Sequence, residues 1–162
     1  MPKVQFATFY LGDDLYGINI LQVREVIQDF HVSQVPQTPA PILGLMNLRG
    51  QIVTVVHLGR NLGIQVVEPQ NTCIILKTND ELAQVHASRS WIFPAGEDSV
   101  GLVVDEMGEV VEVDEEEIDA SPANSSDRDS ATIAGVARLD KELLTILHID
   151  SILQLDFLSR AG

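Results

Sequence analysis

The chain has 162 residues, 45% of them hydrophobic and 21% charged, a composition that builds one domain with a sizeable core and argues against disorder. Its 24 acidic residues against 10 basic ones leave a formal net charge of -14 at pH 7. A nucleic-acid phosphate backbone is therefore repelled rather than neutralised, and an anionic membrane finds no polybasic patch. The longest aliphatic run is about five residues, against roughly 20 for a bilayer span, so no direct membrane insertion is expected. The opening residues Met1-Pro2-Lys3-Val4-Gln5-Phe6 carry no signal-like apolar region, and the single Cys73 can form no internal disulfide. A reducing cytoplasm is the expected compartment.

Residues 4–11 are rich in aromatic and apolar side chains, and the Gly12-Asp13-Asp14 cluster joins them to a short extended run at 15–18, which predicts a β-hairpin. Asn19 stands three residues before Gln22, and Ile20, Val23 and Ile27 recur at helical spacing, which predicts a short amphipathic helix through Gln28. Pro36, Pro39 and Pro41 then place a loop, because proline lacks the backbone donor that a ladder needs. Residues 43–48 and 51–58 read as paired strands around Arg49-Gly50, where glycine accepts the positive φ of a tight turn. Residues 72–78 and 100–104 are β-branched apolar runs, and 108–113 sets Val110, Val111 and Val113 among acids, the pattern of a half-exposed strand. Residues 132–139 and 143–147 flank Asp140-Lys141 as a last hairpin; Ile149, Ile152, Leu153, Leu155 and Phe157 predict a C-terminal helix to about Arg160. Many short strands with turn signals between them indicate an all-β body, small closed barrels or a sandwich, with few short helices.

Two stretches depart from this pattern. Residues 97–129 hold 13 acids and one basic residue, Arg128, and read as a solvated face plus a mobile loop. Residues 79–99 separate two strands by 21 residues where hairpin links run about 2 to 5, so they form an insertion. Within it the apolar triplet Trp91-Ile92-Phe93 is either folded back on the barrel or exposed as an accessory docking patch built on Trp91 and Phe93.

Catalytic and cofactor signatures are missing. There is no Gly-x-x-x-x-Gly-Lys run and no dinucleotide fingerprint, so no cofactor is expected. His31, His57, His86 and His148 are isolated from one another, without zinc-ligand spacing, and the acid run at 114–117 lacks the alternating ligands and central glycine of a calcium loop; no metal site is expected. No Gly-x-Ser-x-Gly elbow is present, and Cys73 lies in mid-strand, where it reads as a small barrel residue. A binding module is thus favoured over an enzyme, with a small-molecule-binding β-barrel as the alternative to a protein adaptor.

Four segments in order carry a more specific signal. Residues 6–20, with Gly12-Asp13-Asp14-Leu15-Tyr16-Gly17-Ile18, lead into Val23-Arg24-Glu25-Val26; residues 39–56 contain Gly44-Leu45-Met46-Asn47-Leu48-Arg49-Gly50; Val100-Gly101-Leu102-Val103-Val104-Asp105 and Ile133-Ala134-Gly135-Val136 follow. Together they resemble the CheW family of bacterial chemotaxis coupling proteins, with Asn-Leu-Arg-Gly the most diagnostic element. The resemblance implies two SH3-like five-stranded β-barrels sharing a hydrophobic core, in one CheW-like domain over residues 4–158 with 79–99 inserted. It also implies a non-catalytic adaptor whose partners are a CheA-type histidine kinase, through its regulatory domain, and the cytoplasmic tips of chemoreceptors. By the same resemblance Val23 (on the predicted helix), Gly44, Cys73 and Val110 match the receptor-facing groove, although each could equally be plain core. Arg49 matches the family's turn arginine, and Glu25 the glutamate that pairs with it. His57 departs from the pattern, standing where many relatives carry aspartate.

Overall fold

A computed structural model describes residues 3–36, 42–64, 71–85, 90–120 and 132–153. The alternation read in the first segment forms a hairpin: β1 (Lys3–Leu11) pairs antiparallel with β2 (Asp14–Asn19), from Phe6↔Asn19 to Leu11↔Asp14. A single 3-10 turn, Ile20–Gln22, follows, and β3 (Val23–Gln28) pairs antiparallel with β6 (Thr72–Leu76). The helix predicted through Gln28 is therefore a strand. Ile20, Val23 and Ile27 suit a helical stripe, but Val23, Val26 and Ile27 are β-branched, and the fully buried β6 beside them supplies the ladder that decides the outcome. The Asn19 carboxamide oxygen accepts from the Leu21 amide at 2.9 Å, closing a turn rather than starting a helix.

The central hairpin forms where its turn residues place it. β4 (Ile42–Leu48) and β5 (Gln51–His57) are joined by Arg49 at φ 52° and Gly50 at φ 86°, both in the left-handed region that a two-residue hairpin turn requires. The Gly50 amide donates to the Asn47 side chain at 2.8 Å, so Asn-Leu-Arg-Gly is a self-capped turn. After β5 comes a short helix, α1 (Leu58–Asn61), whose cap is His57: its Nδ1 accepts from the Arg60 amide at 3.2 Å, the acceptor role that an aspartate performs at a helix start. β7 (Val100–Val104) lies between β5, to which it is parallel, and β6, to which it is antiparallel. The five-stranded sheet thus runs β3-β6-β7-β5-β4.

The chain then returns to the first hairpin. β8 (Glu106–Met107) and β9 (Val111–Asp114) both pair with β1. A 3-10 turn, Glu115–Glu117, links β9 to β10 (Ile118–Ala120), which pairs with β11 (Ile133–Arg138); β11 pairs with β12 (Leu143–Leu147), and β12 lies parallel to β2. The acid-rich region was read as a solvated face, yet its apolar Val113 and Ile118 are buried and make it a wall of the barrel. Val110 falls just before β9 rather than within a strand and is 52% exposed. The C-terminal helix α3 spans Ile149–Leu153, while Leu155, Phe157 and Arg160 lie outside the described residues.

Each sheet is closed by one stretch of chain that pairs at both ends. In the seven-stranded sheet, residues 111–120 pair with β1 through β9 and with β11 through β10, so these two segments act as one interrupted strand. In the other sheet, residues 23–33 pair with β6 through β3 and with β4 through a bridge at Ser33, whose amide and carbonyl exchange hydrogen bonds of 2.8 and 2.9 Å with Leu45. Closure leaves few unpaired strand edges.

The strand faces then sort into three cores. Val4, Phe6, Leu15, Val113, Ile118, Leu144 and Ile146 fill the first barrel. Met46, Val53, Val55, Cys73, Ile75 and Val103 fill the second. Between them Phe9, Leu11, Ile18, Val56, Ile74, Leu76, Leu102, Val104, Leu147, Ile149 and Ile152 form a core belonging to both. β6 and β7 are buried along their whole length because each sends alternate residues to the second barrel and to the shared core.

Gly44 sits at the closure seam. Its φ is +149°, and a Cβ there would stand 2.1 Å from the Ser33 carbonyl oxygen. We predict that Gly44→Ala destabilises the fold by about 2–4 kcal/mol through backbone clash and strain, measured as a lower urea midpoint; a loss below about 0.5 kcal/mol would show that the seam has slack.

Candidate partner-binding site

Val23, Arg24 and Glu25 begin β3, and the ladder shifts register there: Val23 pairs with Leu76 and Glu25 with Ile75, leaving Arg24 as the extra residue of a bulge. A bulge re-aims the side chains around it. As a result two adjacent residues, which regular alternation would send to opposite faces, both reach the β4–β5 turn. Glu25 pairs with Arg49, and Arg24 Nη1 donates to Gln51 Oε1 at 2.9 Å. The Arg49 side chain is 68% exposed and that of Glu25 27%, so by itself this pair contributes only about 0–1 kcal/mol. Its geometric effect is to tie the hairpin tip to β3.

The Arg24 guanidinium has further partners. Its Nε donates to both Glu81 carboxylate oxygens at 3.1 and 3.0 Å, and Nη2 donates to Ser99 Oγ at 3.1 Å and also to Glu81. Glu81 lies on a short helix, α2 (Asn79–Leu82), started by a capping box in which the Glu81 amide donates to Thr78 Oγ1 and the Thr78 amide to the Glu81 carboxylate. Hydrogen bonding from Arg24, against a smaller opposing effect of burial, holds the Glu81 carboxyl below its ordinary value of 4.5. Its contribution to stability is therefore present above the ordinary carboxylate range and is lost as pH falls through the lowered value. A cleft of about 850 Å³ opens at this point, lined by Arg24, Arg49, Gln51, Ile52, Asp80 and Glu81 among others.

The described parts of the inserted segment, residues 79–85 and 90–99, form a strap folded back on both barrels. Gln22, 1% exposed at the crossover between β2 and β3, exchanges hydrogen bonds of 3.0 and 3.1 Å with the Phe93 backbone, and Asn19 donates to the Ser90 carbonyl at 3.1 Å. The Phe93 ring lies 4.1 Å from that of His148, and Phe93 packs against the shared core. Trp91, at φ 60°, packs against the first barrel's core, where a Cβ on Gly135 would come within 2.9 Å of its ring. Both aromatics are thus half-buried and packed against the cores.

The four groove positions differ in burial and in place. Val23 is half-buried against the shared core, at the edge of the Glu25–Arg49 region. Gly44 is buried at the closure seam and has no side chain to offer. Cys73 is fully buried inside the second barrel, where desolvation pushes its thiol up to about 12. Val110 is exposed but belongs to the link between β8 and β9 on the other sheet. Of these, only Val23 and Val110 present a side chain that a partner can touch.

Arg24 and Glu81 escape the sequence reading, although Thr78-Asn79-Asp80-Glu81 carries the capping-box signature in plain view. Among the described residues, no group of three or more His, Cys, Asp or Glu side chains stands close enough to hold a metal ion. We predict that Cys73 in the native protein resists a thiol reagent at about pH 8 and reacts fully once the chain is unfolded. Fast native labelling would place the thiol at the surface.

Comparison with known proteins places this geometry. Residues 5–157 match the CheW-like domain. The chain is 29% identical over 157 residues to the chemotaxis protein CheW of Helicobacter pylori, covering 95% of this chain and 84% of that protein. It is 26% identical over 149 residues to CheW of Bacillus subtilis, covering 92% and 86%. The crystal structure of the scaffolding protein TtCheW from Thermoanaerobacter tengcongensis superposes with a TM-score of 0.76 at 28% identity, covering 96% of this chain and 95% of that one. With the match spanning both barrels, the chain belongs to the CheW-like family.

Proposed function

We propose that this protein is a non-catalytic chemotaxis adaptor, coupling a CheA-type histidine kinase to the cytoplasmic tips of chemoreceptors in chemotaxis or a related motility pathway. Family membership across nearly the whole chain supports the adaptor role. The observation that carries the receptor side is the Glu25–Arg49 pair where β3 meets the β4–β5 turn, with Val23, two residues before Glu25, packed on the shared core. A rim on that core resists deformation, so contact energy is transmitted rather than absorbed locally.

Two partners engaging different barrels of one rigid body give the protein its output: occupancy of one face biases the arrangement on the other, with no covalent step. The kinase's regulatory domain, which shares the fold by family resemblance, would engage barrel surfaces. The chemotaxis role of the family supports a cytoplasmic protein recruited to membrane-bound receptors; among the described residues no helix is long and apolar enough to cross a membrane. Trp91 and Phe93, both half-buried, add at most an accessory contact. Side chains fill the interiors of both barrels, and no observation favours the alternative of a small-molecule-binding barrel.

Burial of a Val-sized anchor contributes about 1.5–3 kcal/mol. Val23→Asp is therefore expected to weaken binding to a receptor-tip fragment by roughly tenfold or more, with circular dichroism unchanged and Val23→Ala as the milder companion. Unaltered affinity in both variants would remove Val23 from the receptor surface.

A further inference from the structure

The strap and the Glu25–Arg49 pair are usefully considered as one object, because a single side chain joins them. At one end the strap grips both barrels: Gln22 and Asn19 at the crossover, Gly135 on β11 through Trp91, and His148 before α3 through Phe93. At its base Asn79 ties α2 to the returning chain, its amide donating to the Gly96 carbonyl at 3.0 Å and its side chain accepting from the Ala95 amide at 2.7 Å. Ser99 closes the strap onto the second barrel, its carbonyl accepting from the Thr54 amide at 3.0 Å. Arg24 is the one described side chain on β3 that bonds to this strap, and it does so from both sides, through Glu81 and Ser99. The same guanidinium holds Gln51, two residues from Arg49.

Three features make this a linkage rather than a crowd of contacts. The fork is planar, so its bonds to Glu81, Ser99 and Gln51 fix one orientation of the group, which a lysine's single ammonium cannot reproduce. Its side chain is only 18% exposed, so the bidentate contact with Glu81 is less screened than the Arg49–Glu25 pair beside it. Its position is set by the bulge, which places Arg24 next to Glu25 on the same turn of chain. Movement of α2 therefore pulls on Arg24, and Arg24 is peptide-bonded to the residue that holds Arg49.

We propose that Arg24 is a positioning residue through which the strap formed by residues 79–85 and 90–99, seated on both barrels, sets the orientation of the Glu25–Arg49 pair. The proposal rests on the receptor-facing role given to that pair above. It adds a regulatory path to it: a partner that displaces the strap on the first barrel alters the receptor-facing rim on the second.

The test uses Glu81→Gln in the full chain, which weakens the charge-assisted contact while leaving Val23, Glu25 and Arg49 untouched. Without any partner, nuclear magnetic resonance follows the Ala95 amide, which reports on the strap, and the Arg49 Nη2–H, which donates to Glu25 and reports on the pair. Both are expected to exchange with solvent several-fold faster in the variant, and Arg24→Lys is expected to behave like it because the fork is lost. With a receptor-tip fragment, Glu81→Gln is expected to lower affinity by about fivefold, an effect that disappears when Arg49→Ala is already present. If the Ala95 amide speeds up while Arg49 is unaffected, or if the affinity loss is undiminished beside Arg49→Ala, the linkage is refuted. Should Glu81→Gln unfold the protein, Ser99→Ala, which deletes a single contact to Arg24, repeats the same comparison. If the wild-type protein binds no receptor fragment, the receptor assignment fails, while the partner-free measurement still decides the linkage.

Discussion

The structure depends on strands that are buried on both faces. β6 and β7 give Cys73, Ile75 and Val103 to the second barrel and Ile74, Leu76, Leu102 and Val104 to the core held in common. A barrel that shares its walls in this way cannot turn relative to its neighbour without opening apolar surface, at about 25 cal/mol per Å². The chain order enforces the same union. It leaves the first barrel after β2, builds the whole of the second, and returns to close the first with β9 to β12. The first barrel is complete only after the chain has passed through the whole of the second, and the rigidity that a coupling protein needs follows from that route.

Where the chain crosses from one barrel to the other, two buried polar side chains face the strap. Asn19 and Gln22, both nearly inaccessible, spend their amides on the strap backbone at Ser90 and Phe93. Leaving such groups unpaired would cost about 1–3 kcal/mol each, so the crossover and the strap specify one another. The Glu25–Arg49 pair, Arg24 and the cleft beside them lie at one end of this arrangement. Arg24, Glu25 and Arg49 all belong to the second barrel, and the strap is what connects them to the junction.

Much of the architecture was legible in the sequence because its signals are local. Gly12-Asp13-Asp14, Arg49-Gly50 and Asp140-Lys141 each lie between alternating runs, and each is a turn between paired strands. β3 was misread because Ile20, Val23 and Ile27 satisfy a helical period as well as a β propensity, and only the neighbouring strand decides between them. β8 and β10 are two and three residues long, too short for any period to show. The pairing of Glu25 with Arg49 was legible only by resemblance, since 24 positions and a bulge separate them. Arg24 had no local signal at all: its partners Gln51, Glu81 and Ser99 are brought to it by closure of the second barrel and by the path of the strap. Gly44 and Cys73 show the opposite limit. Their resemblance to groove positions carried over, but a seam contact and complete burial are three-dimensional facts that residue identity does not contain.

The central claim is that one rigid body holds two different partners at once. Sedimentation velocity on a mixture of this protein, a receptor-tip fragment and the regulatory domain of a CheA-type kinase tests it most directly. The account predicts a species containing all three, heavier than either pairwise complex and stable on dilution to the weaker pairwise Kd. If the fragment and the kinase domain instead displace one another, leaving only pairwise complexes at every ratio, the two faces are one face and the bridging role is contradicted.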